Sequence, residues 1–177
     1  APSSTRPGVH FARLPAPGTL RAERARGTTF RWVFPGQPDI GGRYSVLSHF
    51  GMVPAAVAGY DFGAILDSAT GMAHTCAADV PAEENPGAWL GAVMGSLASE
   101  KKRDKLTLVL SPKISTLGYW VEQLIAESTG KEGRGIVPVE GEPLGRPADY
   151  GDDRFFVYVR MTSDPEHEGV RALADAG

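Results

Sequence analysis

Apolar residues recur every three or four positions along much of the chain, and this spacing predicts a series of helices. The clearest stripe occupies residues 62–76 and predicts an amphipathic helix that packs Cys76 into a core rather than using it as a nucleophile. Asn85 and Pro86 are typical of a helix start, because asparagine accepts a hydrogen bond at the N-cap and proline fits the first helical position. A further helix, kinked by an internal proline, is predicted over 46–57.

Four runs of β-branched, aromatic and aliphatic residues predict strands at 30–34, 106–110, 135–139 and 154–160. The run at 106–110 is almost unbroken, which is typical of a central parallel strand covered on both faces. Because helices are predicted between most of these strands, the order implies parallel pairing through crossover connections. The predicted fold class is therefore α/β, a layered αβα sandwich with a mainly parallel sheet and with ligands at the carboxyl ends of its strands.

Composition and charge narrow the domain organisation and the classes of partner. A chain of 177 residues suits one domain, here 29–177, preceded by an irregular Arg- and Pro-rich arm at 1–28. The net charge of −3 provides no global basic field for nucleic acid or anionic lipid, so a small metabolite is the favoured partner. A single cysteine and the lack of an apolar run of about 18–20 residues predict a cytoplasmic protein with neither a disulfide nor a membrane span.

Gly41, Gly42 and Arg43 form the first candidate site. Two glycines let the backbone approach a ligand, and an arginine at a helix start offers a fixed cationic fork that suits an oxyanion. On the pattern alone, the opposing interpretation is a Gly-Gly turn before a helix with a solvated arginine. His49, a few residues further on, shares no ligand spacing with cysteines or carboxylates, so no metal site is predicted.

The second candidate site is the last turn of a helix predicted over 112–128. Gln123 and Glu127 are four residues apart and therefore share one face of that helix. Glu127 lies at the negative end of the helix dipole, which disfavours a carboxylate by about 0.3–1 kcal/mol, so we expect a raised pKa and a better proton acceptor near neutral pH. The alternative is an exposed glutamate tolerated at small cost. Gly130 is predicted to end the helix in a left-handed conformation.

Taken together, these segments resemble the glucose-6-phosphate isomerase family. The sequence DIGGRYSVLS at 39–48 is similar to one signature of that family, and QLIAESTGK at 123–131 is similar to the segment that holds its catalytic glutamate. The sequences DKLTLVLSP and GIVPV, at 104–112 and 135–139, resemble the bacterial form found fused to transaldolase. The resemblance covers about residues 17–160.

The resemblance implies a sugar isomerase (SIS-like) fold and the interconversion of glucose 6-phosphate and fructose 6-phosphate through a cis-enediol, without a metal or an organic cofactor. It implies that Glu127 is the base that moves the proton between C1 and C2, and that Arg43 stabilises the enediolate charge as it develops. Gly42 and Gln123 would then help to hold the sugar phosphate. The implied partner is a hexose phosphate, and a homodimer is compatible with the family.

Parts of the family pattern have no counterpart in the chain. Residues 1–16 do not resemble the Ser/Thr-rich phosphate-binding loop expected before the first strand. The family's ring-opening histidine and late lysine, which lie downstream of the glutamate segment, are not assigned to any residue. We therefore expect an incomplete domain, from a fragment or a truncated product, whose activity by itself is in question. Two functions stay open: a hexose phosphate isomerase, and a noncatalytic sugar-phosphate-binding SIS-type module.

Overall fold

The computed structural model describes residues 9, 11–16, 18–20 and 30–177. The chain divides into two compact units, Ala1–His74 and Thr75–Gly177. Most of the N-terminal arm predicted over 1–28 lies outside the described residues, so its boundary stays a prediction. In the described part of the chain, no helix combines the length and the apolarity that a bilayer crossing requires.

The described residues of the first unit form two short strands and two helices. Its regular elements are, in chain order, β1 (Ala12–Arg13), β2 (Trp32–Val33), a 3-10 turn (Gly42–Tyr44), α1 (His49–Val57) and α2 (Phe62–Thr75, whose last residue falls in the second unit). β1 and β2 pair in parallel, with Ala12 opposite Trp32. The strand predicted at 30–34 is thus shortened to two exposed residues, because among the described residues a single neighbouring strand pairs with it.

α1 begins later than the apolar stripe predicts. Ser48 is its N-cap: the hydroxyl accepts a hydrogen bond from the Phe50 amide (3.2 Å) and donates one to the Ser45 carbonyl (2.6 Å). Val46 belongs to the turn before this cap, where its carbonyl approaches Gly51 so closely that a Cβ on Gly51 would lie 1.9 Å from the oxygen. The start of the helix is therefore set by the capping hydroxyl and not by the apolar spacing.

We expect Gly51→Ala to lower the free energy of unfolding of the first unit by about 1–3 kcal/mol, because the added methyl group meets backbone atoms of Val46. Gly71→Ala, inside α2, is the matched control. A Cβ at Gly71 would meet no described atom within 4 Å outside the backbone of its own helix. Alanine is also more favourable than glycine inside a helix by about 1 kcal/mol. Thermal unfolding measures both variants, and equal stability of the two would contradict the packing argument.

α2 confirms the predicted helix but not the predicted burial of its apolar stripe. None of its residues is buried among the described residues, and Phe62 and Met72 are 48% and 58% exposed. Cys76 follows the helix and is also exposed, so the prediction that it packs into a core is wrong. The spacing of apolar residues defines which face of a helix can be buried, whereas burial itself requires a surface that covers this face.

The second unit is a three-stranded parallel sheet with helices packed against it. Its regular elements are, in chain order, α3 (Pro86–Glu100), β3 (Lys105–Leu110), a 3-10 turn (Pro112–Ile114), α4 (Leu117–Thr129), β4 (Val137–Val139), a second 3-10 turn (Pro147–Asp149), β5 (Arg154–Val159) and α5 (Glu168–Ala176). The strand order is β4-β3-β5, so the apolar run that predicts a central parallel strand does form the centre of the sheet. Asn85 caps α3 by accepting the amide hydrogen of Ala88 (3.0 Å), as predicted.

The core of the second unit lies on β3 and its two neighbours. Leu106, Thr107 and Leu108 are consecutive and so point to alternate faces of the sheet, yet each is at most 7% exposed, which means that β3 is covered on both faces. Ile136 and Phe155 complete the buried cluster. Partly buried side chains of α3 and α4 pack against it: Met94, Leu97, Ala98, Val121 and Ile125. The architecture is of the α/β class with parallel sheets, compatible with an incomplete SIS-like sandwich.

Lys105, the first residue of β3, lies between two carboxylates of the segments that enter β3 and β5. Its ammonium group forms an ion pair with Asp153 and lies 3.4 Å from a carboxylate oxygen of Asp104. The hydrogen bond from Lys105 lowers the pKa of Asp153, and the same bond raises the pKa of Lys105. The pair therefore ties the beginnings of two neighbouring strands together electrostatically.

We expect this ion pair to contribute to the acid sensitivity of the second unit. Because the pKa of Asp153 is lower in the folded protein than in the unfolded chain, its contribution is present above the unfolded value of about 3.9 and is lost as the pH falls through the folded value. Asp153→Asn should therefore be less stable than the wild type at neutral pH and equal to it in acid. Urea unfolding at several pH values measures this difference. Asp152→Asn, at an exposed neighbouring carboxylate, is the control, and identical profiles in both variants would count against the expectation.

Candidate functional site

Gln123 and Glu127 meet on the exposed face of α4, as the sequence predicts. The Gln123 side-chain amide donates a hydrogen bond to Oε1 of Glu127 over 3.0 Å. Val121 and Ile125, on the inner face of the helix, pack against the core. The helix therefore holds an ionisable carboxylate at the surface with an oriented donor on one of its oxygens, an arrangement that suits proton transfer.

The chain after Glu127 folds back in a tight turn, which brings a cation to the end of α4. The Lys131 ammonium donates a hydrogen bond to the Glu127 carbonyl (2.6 Å), and Lys131 and Arg134 exchange two backbone hydrogen bonds across the turn (2.9 and 3.0 Å). Residues 132–133 supply the positive φ angles of 53° and 74° at the centre of the turn. Gly130 has a φ of −74°, so the prediction that it adopts a left-handed conformation is wrong, because the reversal of the chain occurs two residues later.

These contacts add to the electrostatics that the sequence suggests for Glu127. A lysine on the last carbonyls of a helix partly offsets the negative end of its dipole, and a donor on the carboxylate stabilises its ionised form. Both contacts oppose the effect of the helix dipole on the Glu127 carboxylate. The raised pKa that the sequence suggests for Glu127 stays a prediction.

Glu127 lies at the amino edge of the sheet, whereas α/β folds usually bind ligands at the carboxyl edge. α4 runs back from the carboxyl end of β3, and the hydroxyl of its last residue, Thr129, accepts a hydrogen bond from the Ile136 amide (2.9 Å) just before β4. The Val137 amide in turn donates to the Asp104 carbonyl (2.7 Å) just before β3. A site built on Glu127 would therefore not lie where the sheet rule predicts it, because the length of α4 sets the position of this residue.

Gly42 and Arg43 belong to the first unit, in the 3-10 turn before α1. The Tyr44 amide donates to the Gly41 carbonyl (3.0 Å), and the Ser45 hydroxyl donates to the Gly42 carbonyl (2.7 Å). Arg43 is partly buried. A Cβ at Gly41 or Gly42 would meet no neighbouring atom within 4 Å in the part of the chain that the structure describes. Packing therefore does not explain the two glycines, and close approach to a ligand stays a prediction.

Two polar groups at the carboxyl edge of the sheet have no functional role predicted from the sequence. Ser111 is 3% exposed; its amide donates to the Val159 carbonyl (3.1 Å) and its hydroxyl accepts from the Met161 amide (3.0 Å), so it joins the ends of β3 and β5. His167 caps α5, since its Nδ1 accepts the Gly169 amide hydrogen (3.2 Å). Each residue lies directly before a helical segment, and this position indicates a helix start but not a functional role. Across the described residues, no three His, Cys, Asp or Glu side chains come together as a metal-binding group.

The chain is similar to proteins named glucose-6-phosphate isomerase from several bacteria. It is 36% identical over 102 residues to the one from Parabacteroides distasonis, and this alignment covers 57% of the chain and 23% of the relative. It is 36% identical over 114 residues to the one from Symbiobacterium thermophilum, covering 64% and 25% respectively. For Rubrobacter xylanophilus the identity is 40% over 105 residues, covering 57% and 23%. No family model matches the chain.

The chain thus spans about a quarter of the length of the curated relatives that it matches. Within the aligned segments, identities of 36–40% recur in relatives from three different bacterial genera. The structure adds an α/β architecture with parallel sheets, which is the class that the sequence predicts. In its aligned segment, the chain is therefore similar to bacterial glucose-6-phosphate isomerases, in agreement with the motifs at 39–48 and 123–131.

Proposed function

We propose that the chain carries part of a hexose phosphate isomerase site, which interconverts glucose 6-phosphate and fructose 6-phosphate through a cis-enediol. The observation that carries this proposal is the hydrogen-bonded pair of Gln123 and Glu127 on an exposed helix face, within a chain similar to glucose-6-phosphate isomerases. An aldose and its ketose differ in the position of the carbonyl, so the reaction needs a base that moves a proton and a group that stabilises negative charge.

In this proposal Glu127 is the base. Its carboxylate takes the proton from C2 of glucose 6-phosphate and returns it to C1, while the hydroxyl proton on O2 is lost and O1 gains one. Gln123 orients the carboxylate through its 3.0 Å hydrogen bond and contributes to binding of the sugar phosphate. For Arg43 we propose the role that the resemblance implies, which is to stabilise the negative charge of the enediolate oxygen, and for the Gly42 backbone the close approach of a substrate.

The proposal also covers the substrate, the cofactor requirement, the cell compartment and the domain organisation. A hexose phosphate is the substrate, and the proposed chemistry uses no cofactor, because it moves protons within one molecule and passes no electrons to another. A single cysteine in 177 residues suits a reducing compartment such as the cytoplasm. A SIS-type domain, which the resemblance implies, and a homodimer, which is compatible with it, belong to the same proposal.

Proton exchange tests the isomerase proposal in the full chain, even where net turnover is slow. In D2O, an active chain should introduce deuterium at C2 of glucose 6-phosphate and form fructose 6-phosphate deuterated at C1, both followed by proton and phosphorus NMR. Heat-denatured chain is the control. The lack of both exchange and interconversion, at chain concentrations that bind the sugar phosphate, would contradict the isomerase.

A noncatalytic sugar-phosphate-binding module is the second candidate function. The span of the alignments favours it, because about three quarters of each relative has no counterpart in the matched segment. Binding of glucose 6-phosphate without exchange at C2 would select this candidate over the isomerase. Exchange at C2 that depends on Glu127 would exclude it.

A further inference from the structure

The first unit contains a cleft of about 680 Å³ next to the Gly42–Tyr44 turn, in the size range of small-molecule sites. Its lining combines polar groups of the turn region with apolar groups of α2. The lining residues that bear on its chemistry are Gln37, Asp39, Tyr44, His49, Phe62 and Leu66. The proposed roles of Glu127 and Arg43 use none of these side chains, so these roles assign no function to the cleft.

The ring of His49, the first residue of α1, is oriented by a hydrogen bond at Nδ1. Its Nδ1 lies 2.8 Å from the Pro35 carbonyl oxygen, and since a carbonyl only accepts, Nδ1 carries the proton in that bond. The ring also packs against Phe34, with the ring centroids 5.8 Å apart at an angle of 59°. In the neutral imidazole, Nε2 is then an acceptor that points away from Pro35, and the ring lines the cleft.

Asp39 gives the cleft a second acceptor and restricts the chemistry of its ligand. Among the described lining residues it is the one carboxylate, and none of them is lysine or arginine, so no side-chain cation of the lining is present to pair with a phosphate group. A carboxylate and an imidazole nitrogen that accepts a hydrogen bond together suit a ligand with several hydroxyl donors. Phe62 and Leu66 provide apolar contacts for the C–H surface of such a ligand.

We propose that this cleft is a hydroxyl-binding subsite for a hexose, in which Asp39 and Nε2 of His49 accept hydrogen bonds from the sugar hydroxyls. The identity of the ligand as a hexose phosphate rests on the proposed function, whereas the recognition of hydroxyl groups rests on the cleft alone. The subsite takes the neutral part of the substrate, and the phosphate group stays outside it.

Nitrogen NMR of the histidine side chains tests this subsite directly in the full chain. Glucose and glucose 6-phosphate should both shift the Nε2 resonance of His49, and inorganic phosphate should not. His49→Asn places an amide nitrogen where Nδ1 lies and so keeps the bond to Pro35, but it removes the Nε2 acceptor, and the affinity for both sugars should fall about tenfold. His49→Gln, which places an amide oxygen near the Nε2 position, should lose less of the affinity for the sugars. His74→Asn, at a histidine outside the cleft lining, should bind both sugars with the affinity of the wild type.

A folded His49→Asn variant that binds the sugars as tightly as the wild type overturns the proposal, and so does a His49 resonance that no sugar shifts. Should His49→Asn fail to fold, Asp39→Asn provides the same comparison at an exposed loop residue, with about a tenfold loss expected and an unchanged affinity contradicting the subsite. Deuterium exchange at C2 reports separately on the proposed function. If deuterium is exchanged but no sugar shifts the His49 resonance, the subsite proposal is wrong and the isomerase proposal stands. If a sugar shifts the resonance but no deuterium is exchanged, the subsite proposal is supported and the isomerase proposal is wrong.

Discussion

Glu127→Gln is expected to lower the rate of deuterium exchange at C2 of glucose 6-phosphate by about 10²–10⁴-fold, which is the range that a positioned general base contributes. Glutamine has nearly the same size as glutamate, and its oxygen can still accept the hydrogen bond from Gln123, but an amide does not take up a proton at working pH. The affinity for the sugar phosphate should therefore change much less than the exchange rate. NMR exchange rates and a binding titration measure the two quantities separately.

Glu122→Gln is the matched control, because Glu122 is an exposed glutamate of the same helix with no part in the proposed site. Its exchange rate should equal that of the wild type. An unchanged rate in Glu127→Gln would remove Glu127 as the base. Equal losses in both variants would instead indicate that the total charge of α4 matters and not one proton acceptor.

Leu106→Ala is expected to lower the free energy of unfolding of the second unit by about 3 kcal/mol, within the range of 2–5 kcal/mol for a leucine cut back to alanine in a core. Leu106 is 1% exposed on the central strand β3, where it stands opposite Pro138 of β4 and Phe155 of β5. Because both faces of β3 are covered, the removed atoms leave a cavity that the neighbouring strands cannot fill without shifting.

Leu90→Ala is the control for this prediction, since it makes the same change in the same unit at a residue of α3 that is 42% exposed. We expect its free energy of unfolding to change by less than about 1 kcal/mol. Urea unfolding followed by the fluorescence of Trp120, with Trp32 and Trp89 replaced by phenylalanine in every variant, reports on the second unit. Similar losses in both leucine variants would contradict the assignment of the core to β3.

Much of the second unit follows from signals that are complete within one segment. The apolar run at 106–110 needs cover on both faces whatever surrounds it, so it predicts the central strand that the structure has at Lys105–Leu110. Asn85 and Pro86 specify a helix start, because the cap bond and the proline geometry involve only the next few residues. These predictions are confirmed because no distant partner takes part in them.

The first unit shows which structural features such local signals do not predict. The stripe at 62–76 predicts a helix correctly, yet Phe62 and Cys76 are exposed, because an apolar face is buried only where another surface meets it. The start of α1 is likewise shifted by a contact outside the apolar pattern, the cap that Ser48 forms with Phe50. Periodicity identifies the helices, but it does not identify what covers them.

The sequence by itself determined that Gln123 and Glu127 share a helix face, since a spacing of four residues has this consequence in any α-helix. Only the tertiary structure decided that Lys131 returns to the Glu127 carbonyl, that this end of α4 lies at the amino edge of the sheet, and that His49 is fixed by Pro35 at the lining of a cleft. The physical reason is that the first relation depends on helix geometry alone. The others depend on where the chain reverses and on which distant group it then meets.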